Sequence, residues 1–395
     1  MSPLVISHCA TANPLGLGRA ATLEALVERR GALRPVDFEG APPDTWIGRV
    51  AGLEEQPVAA RLSEFDCRNN RLAQLGLRQD GFEQAVAQAR ARYGAERVAV
   101  IVGTSTSGIE HCERAFRERD AHTGRLPPWF RERHSLSLFS VADFVQRYLG
   151  LEGPAATIST ACSSSAKAFA SAARVLQAGF ADAAVVGGVD SLCLTTLYGF
   201  GSLELLSREP CRPCDAARDG ISIGEAAGFA LLERLAPGTA GVALAGYGES
   251  SDGHHLSSPE PEGEGALLAM RDALGRAGIA PADVDYVNMH GTGTPANDRS
   301  EERAIVRLFG DAVACSSTKG WTGHTLGAAG ITEAVICVLC LEEGLVPGCL
   351  NVRRIDPVFS ARVVVEPESR HLRYVMSNSI GFGGSNCSLL FGRLA

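Results

Sequence analysis

The sequence predicts a layered α/β protein made of two similar halves. Apolar runs of strand length alternate with helix-like stretches, at 97–103, 182–189, 228–232, 242–247, 283–289 and 313–317, and that rhythm belongs to sheets covered by helices. Pro237-Gly238, inside LAPGTAG, interrupts it, which places a junction near residue 240 between a first half, 1–240, and a second half, 241–395. The halves echo each other: VAVIVGTSTSG at 98–108 and YVNMHGTGTP at 286–295 each drive an apolar run into a Gly-Thr-x-Thr turn.

Between about residue 110 and residue 150 lies a stretch without a counterpart in the second half. It carries ERAFRERDAHTGRLPPWFRERHSLSLF, rich in arginine and aromatics, with Pro127-Pro128 marking an irregular loop. This stretch reads as a cap: a solvated cover or subunit contact, or a docking surface for an acidic partner through Arg125, Arg131 and Arg133. Next, a strand-like run ahead of Cys162 turns abruptly into TACSSSAKAFASAARVLQAG, a helix opened by small residues and closed before glycine. In the second half TGHTLGAAGITEAVICVLCLEEG repeats the plan, one reactive side chain followed by a small-residue helix, so internal duplication is expected. The tail SNSIGFGGSN, 377–386, reads as a flexible glycine loop around Phe382.

With 395 residues, 45% of them hydrophobic, the chain can bury a large core without staples. A formal charge of −8 argues against a nucleic-acid-binding surface, which needs concentrated positive charge. No segment offers the ~18 uninterrupted apolar residues of a membrane span, and the amino terminus lacks the pattern of a signal peptide, so a cytoplasmic protein is expected. The twelve cysteines lack the spacing of a secreted scaffold and read as reduced thiols, most of them core filler. Two CxxC pairs, Cys211/Cys214 and Cys337/Cys340, lack the four convergent ligands of structural zinc, so no metal is expected.

Three segments carry chemistry. Cys162 precedes a helix whose unpaired amides and positive dipole end are expected to favour thiolate without a dedicated base, and Ser163, Ser164, Ser165 and Ala166 keep the first turn slim for an approaching substrate. His290, in VNMHGTGTPAND, follows an apolar strand and enters a glycine turn; His324, in SSTKGWTGHTLGAAG, precedes the second small-residue helix. A neutral imidazole donates one N–H, and two aimed at one oxygen stabilise an enolate made from a thioester. A thiolate and two imidazoles therefore suit acyl transfer coupled to carbanion stabilisation. Lys319 is placed to hold a carboxylate, with Glu301 and Asp298 as candidate partners. Thr292 and Thr294 offer hydroxyls to an amide-rich arm, and the loop at Phe382 can gate a pocket or present an N–H to an oxyanion.

These segments closely resemble, in order and approximate spacing across essentially the whole chain, the elongating Cys-His-His class of β-ketoacyl-acyl-carrier-protein synthases. The resemblance implies a thiolase-type fold, with two pseudo-duplicated βαβαβ-containing halves in five α/β/α/β/α layers, usually assembled as a homodimer. It implies a decarboxylative Claisen condensation: Cys162 takes an acyl chain from its carrier protein, and the enolate of malonyl carrier attacks it, in fatty-acid or polyene/polyketide synthesis. On this basis His290 and His324 bind the malonyl thioester oxygen, Lys319 with Glu301 supports the site, and the amides of Cys162 and Phe382 form the oxyanion hole. Thr292 and Thr294 contact phosphopantetheine, Phe382 also gates the pocket, and Phe200 is the aromatic at its entrance. No cofactor is implied beyond the phosphopantetheine of the acyl-carrier protein. Cys214 stands where the family commonly has an aromatic, which predicts an unusual pocket shape, and Glu204 stands where a basic residue is expected near the entrance.

Two other readings compete. A coenzyme-A-dependent thiolase would show a second catalytic cysteine in its terminal glycine motif, where this chain has Phe382. A catalytically silent chain-length subunit would lack the nucleophile, but this chain, which has Cys162, fits the active half of a ketosynthase heterodimer.

Overall fold

The computed structural model describes residues 1–394. Each half contributes a five-strand unit with the same spatial order. In the first half the strands are Leu4–Asn13, Val98–Gly103, Ala155–Ile158, Ala183–Asp190 and Ala226–Arg234, lying side by side as third, second, fourth, fifth, first. In the second half Gly241–Ser251, Tyr286–Asn288, Ala314–Ser316, Tyr374–Gly381 and Ser385–Leu394 repeat that order, with the short strand Arg362–Val363 added at the edge. The second, third and fourth strands of each half run parallel, and the fourth, fifth and first are antiparallel neighbours. Leu4–Asn13 meets Gly241–Ser251 at Leu4↔Leu244 and Val5↔Ala243, which joins the halves.

The layers follow from where apolar side chains point. The helices Ser164–Gln177 and Ala329–Glu343 lie between the two half-sheets, and their residues share one core with strands of both halves. Ala329–Glu343 is buried from Ala329 to Leu341, as an all-round apolar helix must be. Helices Arg68–Leu77, Phe82–Tyr93 and Ser140–Leu149 cover the outer face of the first half-sheet. Glu264–Ala277 and Pro295–Phe309 cover that of the second. This is the five-layered duplicated arrangement expected of a thiolase-type fold.

The two central helices cross where they begin. A Cβ built on Gly330 would lie 2.5 Å from the Ala166 backbone nitrogen, so only glycine permits the approach. Gly330→Ala is expected to cost about 1–3 kcal/mol through overpacking, read as a lower denaturation midpoint; an unchanged midpoint would show slack at the crossing.

Several expectations change in detail. The run 283–289 is a strand only over Tyr286–Asn288, because Pro281 opens a 3-10 turn, Pro281–Asp283, whose Asp283 carboxylate accepts the Ala280 N–H. Of the 110–150 stretch, Ile109–Arg117 and Ser140–Leu149 are helical, and the latter packs on the sheet as part of the outer layer. The tail is not a free loop. Tyr374–Gly381 and Ser385–Leu394 pair antiparallel up to Gly381↔Ser385, so Phe382 sits on a tight turn, with Gly383 and Gly384 at positive φ closing it.

Candidate active site

The duplicated topology brings the reactive residues together. Cys162 follows the third strand of the first half, His324 follows the third strand of the second, and His290 follows the second strand of the second half. Equivalent strand ends face a common centre, and there one ligating atom each of Cys162, His290 and His324 lies within 4.8 Å of the other two. All three side chains are buried. His324 Nε2 is 3.0 Å from Cys162 Sγ, and the imidazole rings stand nearly perpendicular with centroids 5.2 Å apart.

The nucleophile is presented by a strained elbow. Ala161 adopts φ 52°, in the left-handed region an alanine avoids, and the turn is tied by Thr160 N–H donating to Ser164 Oγ at 2.9 Å. The helix begins at Ser164, two residues beyond the sulfur. Thiolate in the resting site, the sequence expectation, is therefore corrected: burial pushes the Cys162 thiol up to about 12. Lys319 and the backbone N–H groups of Phe382 and of Cys162 itself pull in the opposite direction without reversing it. Both amides address the sulfur.

The imidazoles are held neutral. Burial lowers both histidines well below the ordinary imidazole value, with the Lys319 charge adding to the shift. Lys319 Nζ donates to His290 Nδ1 at 3.3 Å and to the His290 carbonyl. With Nδ1 accepting, the His290 proton resides on Nε2. His324 Nδ1 has no partner among the described residues, while Nε2 faces the sulfur and is placed to take a proton from it at one stage and donate at another. If His324 is the proton acceptor, labelling of Cys162 by iodoacetamide in His324→Ala should rise about tenfold per unit between about pH 7 and 9 as thiolate forms below its pKa. Site-resolved peptide mass spectrometry reads this, and a flat profile would show that the sulfur is not held as a thiol.

The structure corrects the lysine's partner. Lys319 pairs with Glu333, not with Glu301 or Asp298. Glu301 instead accepts the N–H groups of His290 and Gly291, both at 2.8 Å, and Asn378 Nδ2 at 3.1 Å, fixing the turn that carries His290. Burial pushes Glu301 and Glu333 each up to about 7. Asp298 pairs with Arg218 and accepts the N–H groups of Cys214 and Gly293. Glu333 was missed because it sits in an apolar run; the one acid within the buried stretch Ala329 to Leu341 was itself the signal of a paired charge. Asp190 was missed too. It accepts from Thr104, Ser105 and Thr106 and from the Gly327 N–H, tying the first half's Gly-Thr turn to the segment that follows His324.

Cys162, His290 and His324 line one cavity of about 260 Å³ together with Thr292, Thr294, Phe200 and Phe382. The hydroxyls of Thr292 and Thr294 lie 3.0 Å apart, and the rings of Phe200 and Phe382 are 5.5 Å apart. Cys214 does not line this cavity. It is buried behind the His290 turn at φ 68°, its sulfur 3.9 Å from Met289 Sδ, so its small side chain affects packing beneath the site, not the wall.

Comparison with known proteins accords with this geometry. Residues 1–237 match the family described as beta-ketoacyl synthase, N-terminal domain, and residues 242–353 match beta-ketoacyl synthase, C-terminal domain. The chain is 38% identical over 320 residues to the mitochondrial 3-oxoacyl-[acyl-carrier-protein] synthase of Arabidopsis thaliana, covering 76% of this chain and 69% of that protein. It is 32% identical over 409 residues to 3-oxoacyl-[acyl-carrier-protein] synthase 2 of Staphylococcus aureus (strain MRSA252), covering 93% and 98%. Among solved structures it is similar to a chain of the complex of the ketosynthase ApeO with its chain length factor ApeC from Xenorhabdus doucetiae, with TM-score 0.90, 40% identity and coverage of 100% and 98%. The ishigamide ketosynthase/chain length factor aligns with TM-score 0.89, 28% identity and full coverage of both chains.

Proposed function

The chain belongs to the β-ketoacyl synthase family, and on that premise we propose that it joins an acyl group held on Cys162 to a two-carbon unit from malonyl-acyl-carrier protein. The convergence of one sulfur and two neutral imidazoles around a single cavity carries this reading. In the first stage Cys162 Sγ attacks the acyl-carrier thioester, His324 Nε2 takes the thiol proton, the carrier's C–S bond breaks, and the proton passes to the departing carrier thiolate. In the second, malonyl carrier loses carbon dioxide, and the electron pair of the broken C–C bond becomes an enolate whose oxygen accepts N–H from His290 and His324. The enolate carbon attacks the Cys162 thioester, the amides of Cys162 and Phe382 hold the oxyanion, and collapse returns Cys162 as the leaving group.

Lys319, paired with Glu333, keeps the imidazoles neutral and so able to donate at one nitrogen. Glu301 holds His290 in place, Thr292 and Thr294 bind the phosphopantetheine arm, and Phe200 with Phe382 gates the acyl path. No group beyond that arm takes part. Incubation with acyl-carrier and malonyl-carrier thioesters should yield a β-ketoacyl carrier longer by two carbons; a purified protein that extends no acyl chain across a graded panel sinks the reading.

A heterodimer with a ketosynthase-like subunit is favoured over a homodimer by the likeness, at 40% identity, to a chain of a complex between a ketosynthase and its chain length factor. The first half-sheet ends on Ala155–Ile158, a strand open on one side, and Phe139 on the nearby stretch is 68% exposed. Arg125, Arg131 and Arg133 are exposed and suit an acidic carrier protein. Co-purification of a second ketosynthase-like chain in one-to-one ratio supports the heterodimer, and a stable self-dimer by light scattering overturns it. No helix among the described residues is long and apolar enough to cross a membrane, and a cytoplasmic enzyme is proposed.

A further inference from the structure

The helix Leu194–Ser202, which carries Phe200, is poorly equipped to stand alone. Its nine residues include Gly199 and Gly201, which weaken a helix, and Cys193 at its N-cap makes no side-chain cap. The missing cap arrives from another element. Glu113, on the helix Ile109–Arg117, accepts the Leu194 N–H at 3.1 Å with one carboxylate oxygen, and the Thr195 N–H and hydroxyl at 2.6 Å each with the other. A carboxylate there meets both the unpaired amides and the positive end of the helix dipole. Beyond this cap the helix is held by the Tyr198 hydroxyl donating to the Gly40 carbonyl at 2.8 Å, and by Leu197 among Ile47, Leu192, Ile221, Ile223 and Leu326. Phe200 then meets Phe382 on the turn over Cys162.

We propose that Glu113 is a positioning residue: by capping this helix from outside, it sets how Phe200 stands against Phe382 and thereby which acyl chains reach Cys162. The inference rests on the condensing-enzyme reading and adds a determinant of acyl selection that lies outside the cavity. Glutamine at 113 keeps the shape but offers one accepting oxygen where two are used, and it lacks the charge.

The test uses the full-length protein and acyl-carrier thioesters of graded chain length. Cys162 acylation is followed by intact mass, and malonyl-carrier decarboxylation is measured in parallel. Glu113→Gln should change the ratio of long-chain to short-chain acylation by about fivefold, the scale of one lost helix cap, while decarboxylation is unchanged. Adding Cys193→Ser, which restores a local N-cap, should return the ratio towards that of the unaltered protein. An unchanged ratio in Glu113→Gln, equal loss of both half-reactions, or a shifted ratio that Cys193→Ser leaves shifted overturns the proposal. If the unaltered protein itself takes no acyl group on Cys162, it is the condensing reading that fails.

Discussion

Cys162→Ala is expected to abolish condensation, by on the order of 10³-fold or more, because no other group at the site can carry the acyl chain between the two stages. The other eleven cysteines are free thiols outside the Cys162 cavity, and all but Cys112 are buried. Intact-mass analysis after incubation with acyl carrier should show one adduct in the unaltered protein and none in the variant. Malonyl decarboxylation relies on the imidazoles, not on sulfur, so it should persist in Cys162→Ala and show that the site is still folded. An active protein whose Cys162 stays unlabelled would remove the thioester from the mechanism.

The second large effect separates the histidines. His290→Ala and His324→Ala should each lower malonyl decarboxylation by roughly 10²–10³-fold, the usual consequence of deleting one preorganised donor to a developing oxyanion. They should differ in the first stage. His324 is 3.0 Å from the sulfur whereas His290 is bonded to Lys319 through Nδ1, so His324→Ala should also slow acylation of Cys162 and His290→Ala should largely spare it. Single-turnover acylation measured beside carbon dioxide release resolves the two. Full decarboxylation in either variant would strike that histidine from the mechanism.

The cysteine, both histidines, their order and the duplicated halves were legible in the residues, since each reactive side chain stands at the junction of an apolar strand and a small-residue turn or helix. The twin pattern of TACSSSAKAFASAARVLQAG and TGHTLGAAGITEAVICVLCLEEG corresponds to the two central helices. The strands of the tail were hidden because SNSIGFGGSN reads as a glycine loop, whereas pairing with a neighbouring strand decides whether such a segment is extended.

Local pattern thus determined which groups take part and which strand ends bear them. Tertiary structure decided their chemical state and partners: that the Cys162 thiol is raised by burial, that Lys319 pairs with Glu333 and not with Glu301, and that Glu113 caps a helix more than eighty residues away. The physical reason is that protonation and ion pairing depend on the charges and solvent excluded around an atom, which are set by segments distant in sequence, while strand, turn and helix preferences are written in neighbouring residues.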